Sequence, residues 1–398
     1  MPITQHELPA HPVTHGPKFH WFGYYDKFPW DATGRYLLSL EVDFMDRAPT
    51  PDDVATVGMV DLQDGNKWTP LAQTRVFNWQ QGTHLQWLPT APDREIIYNS
   101  LAADGQRYVP VIQDVFTGQR RELPLPIYAV SRDGKQAVSL DFDRVHSTRP
   151  GYGYHLFPDR AGPDIPEDQG LYTMDLQTGE HRRIITVKQI TEFEPQDTFE
   201  GARHWFNHLQ FNADGTRFIF LHRWKKPGHP WNWKTRLFTA SPDGSDICCL
   251  NEQDMTSHFD WRGSDTVLAW AHRDGTGDHY YLFKDQTHEI ELLGADVFPT
   301  DGHCSYSPDL QWILTDTYPD EEHKRTLILY RVADNLRVDI GRFYSPPELQ
   351  DRDPQRAPYE IRCDLHPRWS RDGRQVCFDS MHEGERQVYV MDVGEVVG

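Results

Sequence analysis

Five histidines stand at one position of a recurring pattern. His84-Leu85-Gln86-Trp87 returns as His208-Leu209-Gln210-Phe211 and, loosened, as His258-Phe259-Asp260-Trp261, His303-Cys304-Ser305-Tyr306 and His366-Pro367-Arg368-Trp369. Each histidine precedes the same point of a following turn by seven residues, at Ala91, Gly215, Asp265, Leu310 and Gly373. Lys27-Phe28-Pro29-Trp30 is a further copy with lysine at the histidine position, and Ile127 holds that position before Gly134. A single such histidine is ordinarily a hydrogen-bonded filler. Five at equivalent positions are different, because neutral imidazoles converging on one axis can hold a divalent metal or exchange protons near neutral pH. Asp364, two residues before His366, adds a carboxylate to this set. With His303 one unit away, Asp364 and His366 make a three-ligand site with open positions. Nitrogen and oxygen donors without thiolate suit manganese, zinc or iron better than calcium.

Other residues could serve a ligand. Tyr24-Tyr25-Asp26-Lys27 brings a phenol and an ammonium near the expected axis, and Arg203, His204 and Asn207 precede the fourth copy. Lys27 is either a substrate contact or a neutraliser of nearby acid, and salt-bridge roles suit Arg203 and Asp26 at least as well. Arg236 lies close to Trp224, Trp231 and Trp233 in a loop rich in Lys, Pro and Gly. Rings around a guanidinium suit a carboxylated sugar, and the same tryptophans can equally anchor a long loop.

These residues need a scaffold that presents one position repeatedly. After each motif comes a turn and then a short β-type run, as in Gly34 before Arg35–Leu40, Gly215 before Thr216–Leu221 and Gly373 before Arg374–Phe378. Seven units start near residues 20, 80, 126, 203, 255, 298 and 360, with extra material in the first, the third and just before the last. Short alternating runs bounded by Asp-Gly or Pro-Asp turns, without long amphipathic helices, predict an all-β, seven-bladed β-propeller. Its four-stranded blades surround a central channel, and residues 1–398 form one domain. The histidine is expected on the innermost strand, with the residue two further on sharing its face. The aromatic three residues on (Trp87, Phe211, Trp261, Tyr306 or Trp369) then points between blades. By the same alternation Cys304 and Cys363 are packing residues.

The bulk properties narrow the partners. Forty basic against sixty acidic residues leave a net charge of −20, which opposes nucleic acid and anionic membranes and demands a focused positive centre for any acidic ligand. The five cysteines lack Cys-x-x-Cys spacing and do not read as a disulfide framework or a structural zinc site. The N-terminus shows no secretory signal pattern, and no run is long enough to span a bilayer, so a cytoplasmic protein is expected, as a monomer or homodimer.

The last unit, Asp364-Leu365-His366-Pro367-Arg368-Trp369-Ser370-Arg371-Asp372-Gly373 through Tyr389–Val393, resembles the oligogalacturonate lyase family, and weaker similarity extends over residues 204–394. That family consists of cytoplasmic seven-bladed propellers that cleave pectin-derived uronides by β-elimination and carry a Gln-x-x-His-x-His-Pro metal motif. The resemblance implies a metal, most readily manganese, on His303 and His366. Asp364 falls where the family has its other histidine ligand, and Ile361 where it has glutamine, with Glu360 as a substitute. It further implies His258 as the proton-abstracting base and Arg236 as the substrate-binding arginine. His208, His84, Lys27 and Tyr25 are then candidate contacts to an acidic oligosaccharide, with water, Tyr25 or His208 as proton donor to the leaving oxygen. Two other classes fit the same residues: a propeller glycosidase or epimerase on an acidic sugar, and a non-catalytic glycan- or protein-binding propeller.

Overall fold

The computed structural model describes residues 3–228, 232–349 and 361–398. Trp231, Glu360 and the expected start of the last unit near residue 360 lie outside the described residues. Seven antiparallel sheets are arranged as a seven-bladed β-propeller, each sheet running from an inner strand to an outer one. Blade 1 is built from Phe19–Trp21, Tyr36–Val42, Ala55–Asp61 and Lys67–Thr74. The inner strands of blades 2 to 7 are Gln86–Trp87, Ala129–Val130, Arg203–Phe211, Thr256–Arg262, Ser305–Tyr306 and Arg368–Trp369.

The ring closes through the N-terminal segment. Ala10–Pro12 pairs antiparallel with Gln387–Asp392 and supplies the outer strand of blade 7. Ile3–Gln5 then adds a fifth, parallel strand to blade 6 along Leu336–Tyr344. Both ends of the chain are thereby tied to the last two blades, which satisfies edge groups that an open sheet would leave unpaired.

The aromatic at the third residue after each histidine packs between blades. Trp87, Phe211, Trp261, Tyr306 and Trp369 are all buried. Three of them also donate to the preceding blade: Trp87 Nε1 to the Pro29 carbonyl at 2.9 Å, Trp261 Nε1 to Gln210 at 3.2 Å and Trp369 Nε1 to Ser305 at 3.3 Å. Burying a side chain of this size contributes about 2–3 kcal/mol before entropy is counted, so the repeat is chiefly a device for stacking blades. In three copies the turn that follows takes a left-handed residue, with φ of +73° at Gly215, +72° at Gly373 and +61° at Leu310, whereas Ala91 and Asp265 hold the position without one.

The histidine position itself departs from the expected regular strand. His84, His208 and His366 have φ of +54°, +50° and +42°, and the strand register shifts across His208 in blade 4 and across His258 in blade 5. The position is a break in the inner strand, not a point on it. Side-chain direction there is set by the kink, so period-two alternation does not decide which residues share a face.

The extra material of the third unit folds onto one mouth of the channel. It contains the helix Phe142–Thr148, capped at its C-terminus by Arg149, and leads to Tyr152 and Tyr154, both fully enclosed. Arg144 fixes this insertion by donating to the carbonyls of His204, Ala161, Pro163 and Asp164. A second short helix, Val187–Glu192, opens with a Thr186–Gln189 capping box and lies between blades 3 and 4. No helix among the described residues is long and apolar enough to cross a membrane.

Candidate active site

At the mouth where the inner strands begin, blades 5, 6 and 7 bring three of the five histidines together. The rings of His258 and His303 lie 4.0 Å apart between centroids, and those of His303 and His366 lie 4.3 Å apart. All three side chains are buried. His303 is oriented by Asp316, whose Oδ1 is 2.8 Å from its Nδ1 and also accepts its backbone N–H at 2.8 Å. That approach requires Gly302, because a Cβ there would lie 1.8 Å from the Asp316 carbonyl oxygen. His258 is oriented in the same manner by Asp301, with Nδ1 3.0 Å from Oδ1.

With Nδ1 engaged, each ring turns Nε2 elsewhere. His303 Nε2 and His366 Nε2 are both buried and lack a hydrogen-bond partner among the described residues. One donor atom from each of His303, Asp364 and His366 falls within 4.8 Å of the others, although His366 and Asp364 precede their strand. Unpaired imidazole nitrogens beside a carboxylate are a costly arrangement in a dry interior unless an ion joins them. The donor set therefore fits a divalent cation with nitrogen and oxygen preference, with positions left open. Ile361 supplies no fourth ligand, since it packs among apolar side chains.

The carboxylate at position 364 is not isolated. Arg325 Nη2 lies 2.7 Å from its Oδ1, and Arg362 Nε lies 3.0 Å from Oδ1 and 2.7 Å from Oδ2. Burial alone would push this carboxyl up, but Arg362 and Arg325, helped by His303 and His366, hold it well below the usual carboxylate range. Burial likewise lowers His258 below the ordinary histidine value, opposed by Asp301. The imidazole is thus kept in its neutral, basic form near neutral pH.

His258 and Asp301 line a cleft of about 680 Å³. Three arginines, Arg149, Arg223 and Arg362, reach the same wall, together with Trp233 and Tyr318. Arg149 stacks 3.7 Å over the Tyr152 ring and 4.9 Å from Trp233, and Arg223 lies 5.7 Å from Trp233 while donating from Nε to Thr235 Oγ1. Asp278 and Asp301 line the same cleft and Arg362 is paired with Asp364, so in a chain of net charge −20 the positive charge here is concentrated on Arg149 and Arg223. Trp233 therefore belongs to the cleft wall, whereas Trp224 is an anchor, buried against Phe199 and donating to Thr198.

Several sequence expectations are corrected here. Arg236 does not line the cleft: it is fully buried, donates to the carbonyls of Ile190, Phe193 and Glu194, and contacts His222 Nδ1 at 3.2 Å. It meets the end of the helix Val187–Glu192, and the arginines on the cleft are Arg149, Arg223 and Arg362. Tyr25 cannot serve the leaving group, because its hydroxyl donates to the Phe259 carbonyl at 2.9 Å and accepts the Phe259 N–H at 3.1 Å. Lys27 is paired with Asp26 at 2.5 Å and lies at the opposite mouth. His84 sits in an aromatic cage of Tyr128, Phe142 and Tyr154, with neither ring nitrogen hydrogen-bonded among the described residues. His208 stacks on Tyr24, and its Nδ1 lies 3.3 Å from both Gln81 Nε2 and the Tyr128 hydroxyl, so it too is outside the cleft lining. Arg203 is a salt-bridge residue, bound to Asp164 at 3.2 Å.

Asp301, Asp316, Arg149, Arg223, Arg325 and Arg362 escaped the sequence reading. One signal was available: Asp301-Gly302-His303 repeats the Asp-x-His spacing of Asp364-Leu365-His366.

No family model matches the sequence, and neither does any curated protein. Among solved structures the chain is similar to an oligogalacturonate lyase in complex with manganese, with TM-score 0.70 and 17% identity over 98% of this chain and 94% of that one. It is also similar to an oligogalacturonate lyase from Vibrio parahaemolyticus, with TM-score 0.67 and 15% identity over 97% and 94%. The β-propeller domain of the Trilobed protease from Pyrococcus furiosus follows at TM-score 0.52 and 11% identity, covering 95% of each chain. At these identities the likeness establishes the propeller fold, which hosts unrelated activities.

Proposed function

We propose that this protein is a metal-dependent lyase that cleaves short uronic-acid-containing oligosaccharides by β-elimination. The observation that carries the reading is the Asp301–His258 pair, 3.0 Å apart, on a cleft walled by three arginines and backed by the His303–His366–Asp364 cluster. Similarity in fold to oligogalacturonate lyases, one of them a manganese complex, supports it.

Elimination from a 4-linked uronide requires loss of the C5 proton, which is acidic only if the adjacent carboxylate is neutralised. Arg149 and Arg223 are the groups that meet this carboxylate, with Arg362 shared between it and Asp364. His258 takes the C5 proton on Nε2, while Asp301 holds Nδ1–H and stabilises the imidazolium that results. The electron pair of the C5–H bond becomes the C4–C5 double bond as the C4–O bond breaks, and the departing oxygen takes its proton from water. His303, His366 and Asp364 would hold manganese, which supplies Lewis-acid stabilisation of negative charge on the substrate carboxylate.

The test is the product. Incubation with short uronide oligosaccharides and manganese is expected to raise ultraviolet absorbance from a conjugated unsaturated uronyl end. New reducing ends without that absorbance would instead identify hydrolysis and overturn the proposal.

A further inference from the structure

We propose that the opposite mouth of the channel is a second, separate binding site, for a small polyhydroxylated monoanion of sugar-acid size. The turns that join first to second strands gather at this mouth and enclose an axial well of about 290 Å³. All seven blades contribute to its wall, from Phe28 of the first to Trp369 of the last, and none of its lining residues belongs to the His258 cleft. A volume of this order is at the lower end of small-ligand pockets.

The polar groups define the ligand. Four atoms on wall residues, Asp26 Oδ1, Gln210 Oε1, Ser305 Oγ and Tyr306 Oη, are buried without a hydrogen-bond partner among the described residues. The Asp26 side chain is only 8% exposed, and its other oxygen holds Lys27. Two of the four orphans can only accept and the two hydroxyls can do either, so the group that answers the acceptors must donate, as sugar hydroxyls do. Beside them Asp260 is already saturated by Gln210 Nε2 at 2.7 Å and by the backbone N–H of Trp261 and Tyr306 at 2.9 and 2.7 Å. Trp261 and Trp369 give the well apolar wall of the kind that covers sugar C–H faces.

The rim carries the opposite sign. Arg132 and Arg371 are exposed there and flank the ring of Phe28, with guanidinium carbons 5.6 and 5.4 Å from its centroid. Arg371 donates one bond to the Trp30 carbonyl at 3.1 Å. In a strongly acidic protein two converging arginines favour one anionic group at the outer end of the ligand. Hydroxyl donors inside and a carboxylate outside describe a sugar acid. Tyr25 forms part of the wall between the two sites, since its ring lines the well and lies 5.5 and 5.9 Å from the rings of His303 and His258. The site stands independently of the reaction proposed for the cleft.

Calorimetric titration with galacturonate tests this in the Arg149→Ala/Arg223→Ala chain, whose cleft lacks its carboxylate partners. One saturable site is expected, weakened about tenfold by adding Arg132→Ala and Arg371→Ala, and binding galactose about as weakly because it has no carboxylate. No binding in that chain, or binding indifferent to Arg132 and Arg371, would mean that the well holds only ordered water. Should the cleft variant fail to fold, the native chain decides by stoichiometry: two equivalents of galacturonate support the second site, and one that survives Arg132→Ala/Arg371→Ala unchanged overturns it.

Discussion

The same repeat position has opposite fates on two sides of the channel. In blades 5, 6 and 7 it places His258, His303 and His366 in mutual contact, with Asp301 and Asp316 fixing two of the rings. In blades 2 and 4 it places His84 among aromatic rings and His208 against Tyr24, with no carboxylate on either among the described residues. The histidine alone therefore decides little. His258 and His303 differ in that a neighbouring acid holds Nδ1 and leaves Nε2 to turn elsewhere, while His366 sets a buried, unpaired Nε2 beside Asp364. Burial pushes His84, His208 and His366 alike well below the ordinary histidine value, so the contrast lies in the partners and not in desolvation.

The contrast can be broken most sharply at His258. Replacing it with Ala is expected to lower the elimination rate about 10²–10⁴-fold, the range of a lost general base, while metal content is unchanged. His84→Leu, at the equivalent position, should leave the rate intact and the fold as stable or more so, because an unpaired buried ring is exchanged for an apolar one. A large rate loss in the His84 variant would erase the distinction between the two halves.

Metal is the next discriminator. Manganese at about a hundredfold over its dissociation constant should stabilise the native chain by ~2.7 kcal/mol, and this increment should vanish in His303→Ala and His366→Ala but persist in His208→Ala. Thermal unfolding with and without the ion reads this directly.

The two arginine readings separate in kinetics. Arg223→Ala should raise KM about tenfold or more through loss of a charged contact to the substrate carboxylate. Arg236→Met should instead destabilise by about 1–3 kcal/mol, because the buried carbonyls of Ile190, Phe193 and Glu194 lose their donor, with KM unchanged in the folded fraction.

The smallest expected effect lies in the insertion that covers His84. Burial pushes Asp141 up to about 7, against the Gly170 N–H and the Tyr172 hydroxyl that favour its charged form. The folded state binds this proton more tightly than the unfolded chain. Its contribution is complete below the ordinary carboxylate value near 3.8 and declines as pH rises through about 7. Asp141→Asn should flatten that decline and be more stable than the native chain at pH 8 by on the order of 1–3 kcal/mol. Denaturant midpoints at low and high pH provide the comparison.

The propeller was legible because its signal is periodic. A turn seven residues after one position and an aromatic three residues after it recur often enough to fix blades and their stacking. The site was legible only where the repeat itself carried chemistry, at the histidines, and where a departure stood beside one, at Asp364. Its orienting acids were not, because Asp316 ends a second strand and Asp301 precedes the first, and only folding brings them to the rings. Arg149 and Arg223 lie on an insertion and at the far end of a strand, neither marked by the repeat. Arg236 misled because its distance from a turn says nothing of the helix Val187–Glu192 that covers it. The alternation argument reached the Asp364–His366 neighbourhood although the backbone there is kinked and not extended. The outer strand of blade 7 comes from residues 10–12, a pairing across almost the whole chain that no local pattern announces.

The most direct measurement follows ultraviolet absorbance during digestion of a short uronide by the manganese-loaded protein, with the His258→Ala chain alongside. The account predicts a rise in absorbance that depends on His258. Chain cleavage without that rise, or an equal rise in the variant, would contradict it.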